Sequence, residues 1–143
     1  MALDGRGIPL AIASLLDEIS FGSFEGRTLE AYRAWAWAHD AGDPCPGGGE
    51  TRVDAAVRIA SGLDWLLERP EEVILAVSHA LPIRYVLDAS DGAFPGRRIA
   101  HVPHAQPFRL GRPAVERAAE TLRGWASAPA FADTPIDGST ARA

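Results

Sequence analysis

The 143 residues carry 14 basic and 19 acidic side chains, a formal net charge of −5, with no block of like charge; this excludes the basic stripe of a sequence-independent nucleic-acid binder. A single cysteine, Cys45, excludes an intrachain disulfide framework and points to a reducing compartment, so a cytoplasmic protein is expected. No apolar run approaches the roughly 20 residues of a membrane helix, and the length suits one domain burying roughly 68% of its unfolded surface.

In chain order, residues 1–7 hold no apolar core of a secretory signal. Residues 8–12, Ile-Pro-Leu-Ala-Ile, suit a short strand that Pro9 confines to an edge or a start. After Glu18 the glycine-punctuated run 21–26 leads to Thr28, a candidate N-cap for a helix with Leu29, Tyr32 and Ala36 on one face and Trp35 and Trp37 extending it. The Pro- and Gly-rich stretch 39–49 reads as a long loop, and long loops in compact domains are often functional.

Thr51 with Asp54 three residues on makes a capping-box-like start, and Val53, Val57, Ala60, Leu63 and Leu67 keep helical spacing until Arg69-Pro70. The run 73–78, Val-Ile-Leu-Ala-Val-Ser, is apolar without alternation, as in a strand covered on both faces. A helix over 82–87 follows it, which gives an α/β layer pattern. Residues 99–110 read as a loop and an irregular strand, and Pro113 opens a last helix with Val115, Ala118, Leu122 and Trp125 in register.

The strand at 73–78 delivers His79 to the turn before Pro82, where α/β proteins place chemistry. Taken alone, that histidine could be a proton shuttle, a phosphate ligand, a metal ligand or a buried core residue. His101 and His104 lie three apart, yet no third ligand at recognisable spacing makes them a metal site. Ser78 beside His79 lacks the glycine-flanked elbow of a serine nucleophile, and neighbours on a strand face opposite sides.

Three segments in order, Leu16-Asp-Glu-Ile-Ser-Phe-Gly-Ser-Phe-Glu-Gly26, Gly48-Gly-Glu-Thr51 before a helix carrying Arg58, and Val77-Ser-His-Ala80, resemble the histidine phosphatase (phosphoglycerate mutase-like) superfamily over about residues 8–110. Phe24 stands where the family has Trp, Thr51 where it has Ser, and Ala80 where it has Gly. The resemblance implies a three-layer αβα fold, here with an incomplete sheet, over residues 1–128, with 129–143 as a flexible tail. It implies phosphomonoester hydrolysis through a phosphohistidine, without metal or cofactor.

By the same resemblance, His79 is the second catalytic histidine, holding the phosphoryl group as a side chain that can be cationic near neutral pH. Glu18 is the proton donor, a task that needs a carboxyl with a raised pKa. The N–H of Ala80 can face an anion, although a site requiring φ > 0 there suits Gly and not Ala. His104 falls near a polar position by the phosphate pocket. Arg27, Arg52, Arg58 and Arg84 could each line an anion pocket, although each singly reads as solvated, and Arg58 is the one whose placement recurs in the family. Phe21 and Leu29 replace the Tyr and Lys with which mutases grip phosphoglycerate, so a broader phosphatase is favoured.

The family's Arg-His-Gly strand, which carries the nucleophile, and its Ser-x-x-Arg-Ala segment are not among these residues; no histidine here follows an arginine. The chain is therefore expected to correspond to the C-terminal portion of such an enzyme and to be inactive or very weak. The alternative expectation is a non-catalytic phosphate-binding or assembly module. The expected partners are a phosphorylated small molecule or phosphate, no nucleic acid and no membrane, with self-association through an exposed sheet edge.

Overall fold

The computed structural model describes residues 7–132. They form four helices, α1 (Leu29–Trp37), α2 (Arg52–Leu67), α3 (Ala80–Ser90) and α4 (Arg112–Ser127), with single 3-10 turns at Ser14–Leu16 and Gly22–Phe24. The three-layer αβα fold expected from the sequence is overturned, because no strand exists among the described residues. Residues 8–12 and 73–78 have strand composition, but a strand needs a neighbour to complete its N–H and C=O ladder, and these segments do not pair.

The helices start where local chemistry directs. Thr51 accepts from the Asp54 N–H at 2.8 Å while the Asp54 carboxylate accepts from the Thr51 N–H at 3.4 Å, a complete capping box. Thr28 accepts from the Ala31 N–H at 3.4 Å to open α1, and Pro113 sits in the first turn of α4, where its missing N–H costs nothing.

Helix α4 packs across α2 and α3. The core joins Ala55, Ala56, Ile59, Ala60 and Leu63 to Leu81, Tyr85 and Ala89, and to Ala118, Leu122 and Trp125. Of the expected α2 face, Val53, Val57, Ala60, Leu63 and Leu67, the structure buries Ala60 and Leu63 and leaves Val57 exposed, while Ala55, Ala56 and Ile59 complete the buried face, since small side chains allow close helix approach. Gly62 serves the same end, for a Cβ there would strike the Leu16 side chain. Phe131 is buried against Trp125, whose indole N–H donates to the Ala130 carbonyl at 2.8 Å, so residues 130–132 are held to the helices; of the tail expected over 129–143, residues 133–143 lie outside the described residues.

The consequence of the absent ladder is a large apolar exposure. Val73, Leu75 and Val77 are 85%, 75% and 89% exposed, and Ile8, Leu10 and Ile12 are exposed as well. Each such side chain gains about 1.5–3 kcal/mol on full burial, so self-association through the 73–77 run is expected in sedimentation velocity, and the Leu75→Lys, Val77→Lys double variant is expected to remove it. A wild-type chain that stays monomeric across concentration refutes this expectation.

Candidate functional site

The site is built around the segment carrying Glu18. Arg58, on α2, holds that segment by its backbone: its guanidinium donates to the carbonyls of Leu15 at 3.0 Å, Asp17 at 2.9 Å, Ser14 at 3.5 Å and Glu18 at 3.3 Å. Its remaining edge forms a two-point ion pair with Glu50, at 2.7 and 2.9 Å, and that charged hydrogen bond raises the Arg58 pKa.

The Pro- and Gly-rich loop clamps the same segment from the other side. The Ser23 N–H donates to the Pro46 carbonyl at 2.6 Å, the Glu50 N–H to the Ser20 carbonyl at 3.0 Å, and the Cys45 thiol to the Phe21 carbonyl at 2.9 Å. Gly22 is required at this crossing: it takes φ +54°, and a Cβ would collide with the Pro46 carbonyl. Burial pushes the Cys45 thiol pKa up.

His79 is the N-cap residue of α3, in extended backbone geometry, with its side chain making no cap hydrogen bond; its carbonyl accepts from the Ile83 N–H at 3.0 Å. The first-turn N–H groups of Ala80 and Leu81 therefore lie outside the helix's own hydrogen-bond ladder, at the positive end of its dipole. The Ser78 hydroxyl donates to the Leu16 carbonyl at 2.5 Å, tying the start of α3 to the Glu18 segment.

That tie is why Glu18 and Ala80 meet. They line one cavity of about 80 Å³ together with Ile19, Phe21, Leu29, Tyr32, Arg52 and Leu81, room for a few waters or one small anionic group. The Glu18 carboxylate is half-buried and accepts from the Ile19 N–H at 3.0 Å. Phe21 and Leu29, the two positions at odds with a mutase, are on its wall.

Of the residues singled out from the sequence, Glu18 and Ala80 share the cavity, and His79 adjoins it as an exposed side chain. His104 is exposed in a turn before Ala105, whose φ is +55°, and does not line the cavity. Arg84 pairs with Asp88 along α3 at 2.6 Å, and His39 stacks on Trp35. No three His, Cys, Asp or Glu side chains among the described residues are grouped to hold a metal.

Arg52, one of four arginines that could line an anion pocket but was read from the sequence as solvated, lines the cavity. This residue is 5% exposed, its guanidinium donating to the Tyr85 hydroxyl and the Arg97 carbonyl, both at 3.4 Å. The buried Tyr32 hydroxyl is hydrogen-bonded to the same guanidinium. The signal was available: Arg52 is in helical register with Ala55, Ala56 and Ile59, the face that α2 buries.

Among known protein families, the model described as histidine phosphatase superfamily (branch 1) matches residues 1–107. No curated protein and no solved structure matches the chain. No helix among the described residues is long and apolar enough to cross a membrane.

Proposed function

The chain belongs to the histidine phosphatase superfamily, branch 1, and from that premise we propose that its cavity is the phosphoryl-binding half of a phosphomonoester hydrolase site. In this reading the phosphoryl oxygens are held by the His79 imidazole and the first-turn N–H groups of Ala80 and Leu81, where a helix N-terminus favours an anion. Glu18 gives a proton to the leaving alcohol oxygen as the phosphorus–oxygen bond breaks. It then takes a proton from the water that attacks the phosphohistidine. The nucleophile of the first step is a histidine that these residues do not supply in the family's Arg-His-Gly setting, so the 143 residues bind and do not turn over appreciably.

The observation that carries this reading is the convergence of Glu18 with the start of α3 on one cavity. A second reading, a phosphate-binding assembly module, draws support from the exposed 73–77 run, which suits a partner surface. The proposed ligand is in both cases a phosphorylated small molecule or phosphate, and no cofactor or metal takes part.

Calorimetric titration with ethyl phosphate tests the site. His79→Ala is expected to weaken binding about tenfold or more, the loss of one charge-assisted hydrogen bond, while Val57→Ala on the exposed face of α2 leaves it unchanged. Equal affinity in wild type and His79→Ala sinks the assignment.

A further inference from the structure

Helix α1 supplies one wall of the cavity, and it does so at a regular interval. Leu29, Arg33 and Trp37 all line the cavity, spaced i, i+4 and i+8 along one side of the helix. Leu29 is 45% and Trp37 41% exposed, and Arg33 is exposed as well, so the stripe forms the rim and not the enclosed volume. At the helical rise per residue this rim runs about 12 Å, well past the part of the cavity that suits one small anionic group.

The far end of the rim is braced. Arg97 donates to the Trp37 carbonyl at 3.3 Å and to the His39 carbonyl at 2.5 Å, and it pairs with Asp40 at 3.0 Å. Arg98 lies over the Trp37 indole, 4.6 Å from its centroid. These two arginines fasten the chain just before Ile99 to the end of α1, and Ile99 lines the same cavity. A large indole is thus held in place beside the cavity while much of its surface stays in water, where covering it is favourable.

The chemistry of the rim restricts what can cover it. Leu29, Trp37, Phe21 and Ile99 offer apolar surface and no side-chain acceptor, so the hydroxyls of a polyol laid there would lose water without return. An indole favours another flat ring, by offset or edge contact. Arg33, between Leu29 and Trp37, can lay its guanidinium plane on the same ring and keep its N–H edges in water.

We propose that the Leu29–Arg33–Trp37 stripe is the leaving-group subsite, so that the ligand is a phosphomonoester of an aromatic alcohol. The position of the phosphoryl end rests on the function proposed above; the aromatic character rests on the rim itself.

Calorimetric titration of the full chain with ethyl phosphate, β-naphthyl phosphate and β-naphthol separates the two claims. The wild type is expected to bind β-naphthyl phosphate about tenfold more tightly than ethyl phosphate, the gain from covering apolar rim with a ring. Trp37→Ala is expected to bring that preference to about threefold or less, and Leu29→Ala to cut it about twofold. Phenyl phosphate should bind about threefold more tightly than cyclohexyl phosphate, which has as many carbons and no π face. A wild type with no naphthyl preference, a preference that survives both substitutions, or equal affinity for the phenyl and cyclohexyl esters overturns the subsite and leaves the phosphoryl position standing. If Trp37→Ala does not fold, an unchanged preference in Leu29→Ala overturns it. Should ethyl phosphate fail to bind, the phosphoryl reading falls; β-naphthol binding that either substitution weakens then upholds the aromatic subsite, and no β-naphthol binding removes it as well.

Discussion

Assayed as these 143 residues, the chain is expected to hydrolyse p-nitrophenyl phosphate about 10⁶-fold more slowly than an enzyme with its covalent nucleophile in place, the scale of loss when a hydrolase nucleophile is removed. The reason is chemical. The described cavity offers a proton-transfer group, Glu18, and anion donors, but no histidine lines its wall. His79 adjoins the helix dipole and suits the charge of a transferring phosphoryl group, whereas His39 stacks on Trp35 with its Nδ1 2.7 Å from the Trp35 carbonyl. Stopped-flow or end-point release of p-nitrophenolate checks this, and brisk, chelator-resistant turnover that His79→Ala abolishes would falsify it.

A second large effect is expected at Arg58. Arg58→Met removes one partner of a pair whose side chains are 21% and 19% exposed and strands Glu50 together with four carbonyls. Breaking a fully buried pair costs about 3–5 kcal/mol and an exposed one under about 1, so a loss of about 2–4 kcal/mol is expected for this intermediate case. Because the carbonyls belong to residues 14–18, the same change should also weaken ethyl phosphate binding. Lysine, a point charge without the fork geometry, should restore less than half of the stability. Urea unfolding of Arg58→Met beside Glu18→Gln separates the effects: the Glu18 variant should lie within about 0.5 kcal/mol of wild type. A wild-type midpoint for Arg58→Met defeats the prediction.

The helices were legible because their signals are local. Thr28, the Thr51–Asp54 box and Pro113 mark starts that the structure keeps. The buried face of α2 was legible in part: Ala60 and Leu63 of the expected face are inside, whereas Val57 is outside and the small Ala55 and Ala56 pack in its stead. The sheet was the larger error. Strand composition at 73–78 states only that the segment suits a ladder, and whether a ladder forms depends on a neighbour that local sequence does not specify.

For the candidate site, the order and spacing of three motifs singled out Glu18 and Ala80, and the structure puts both on the wall of one cavity. Arg58 was noticed for its placement, though not for the task of bracing a backbone turn. Arg52 was named as a candidate pocket arginine yet read as solvated, as an arginine at a helix start ordinarily is; its depth becomes visible only once the alanine face of α2 is known to be the inner one.

The clamp over the Glu18 segment contains the chain's one thiol. Cys45 is buried, its S–H spent on the Phe21 carbonyl and its pKa raised by burial, so little reactive thiolate is present while the loop is closed. Alkylation therefore has to wait for the loop to lift from residues 20–23, and the trapping rate becomes a clock for the opening of the site. It runs without an engineered label, and it reads the loop separately from global unfolding.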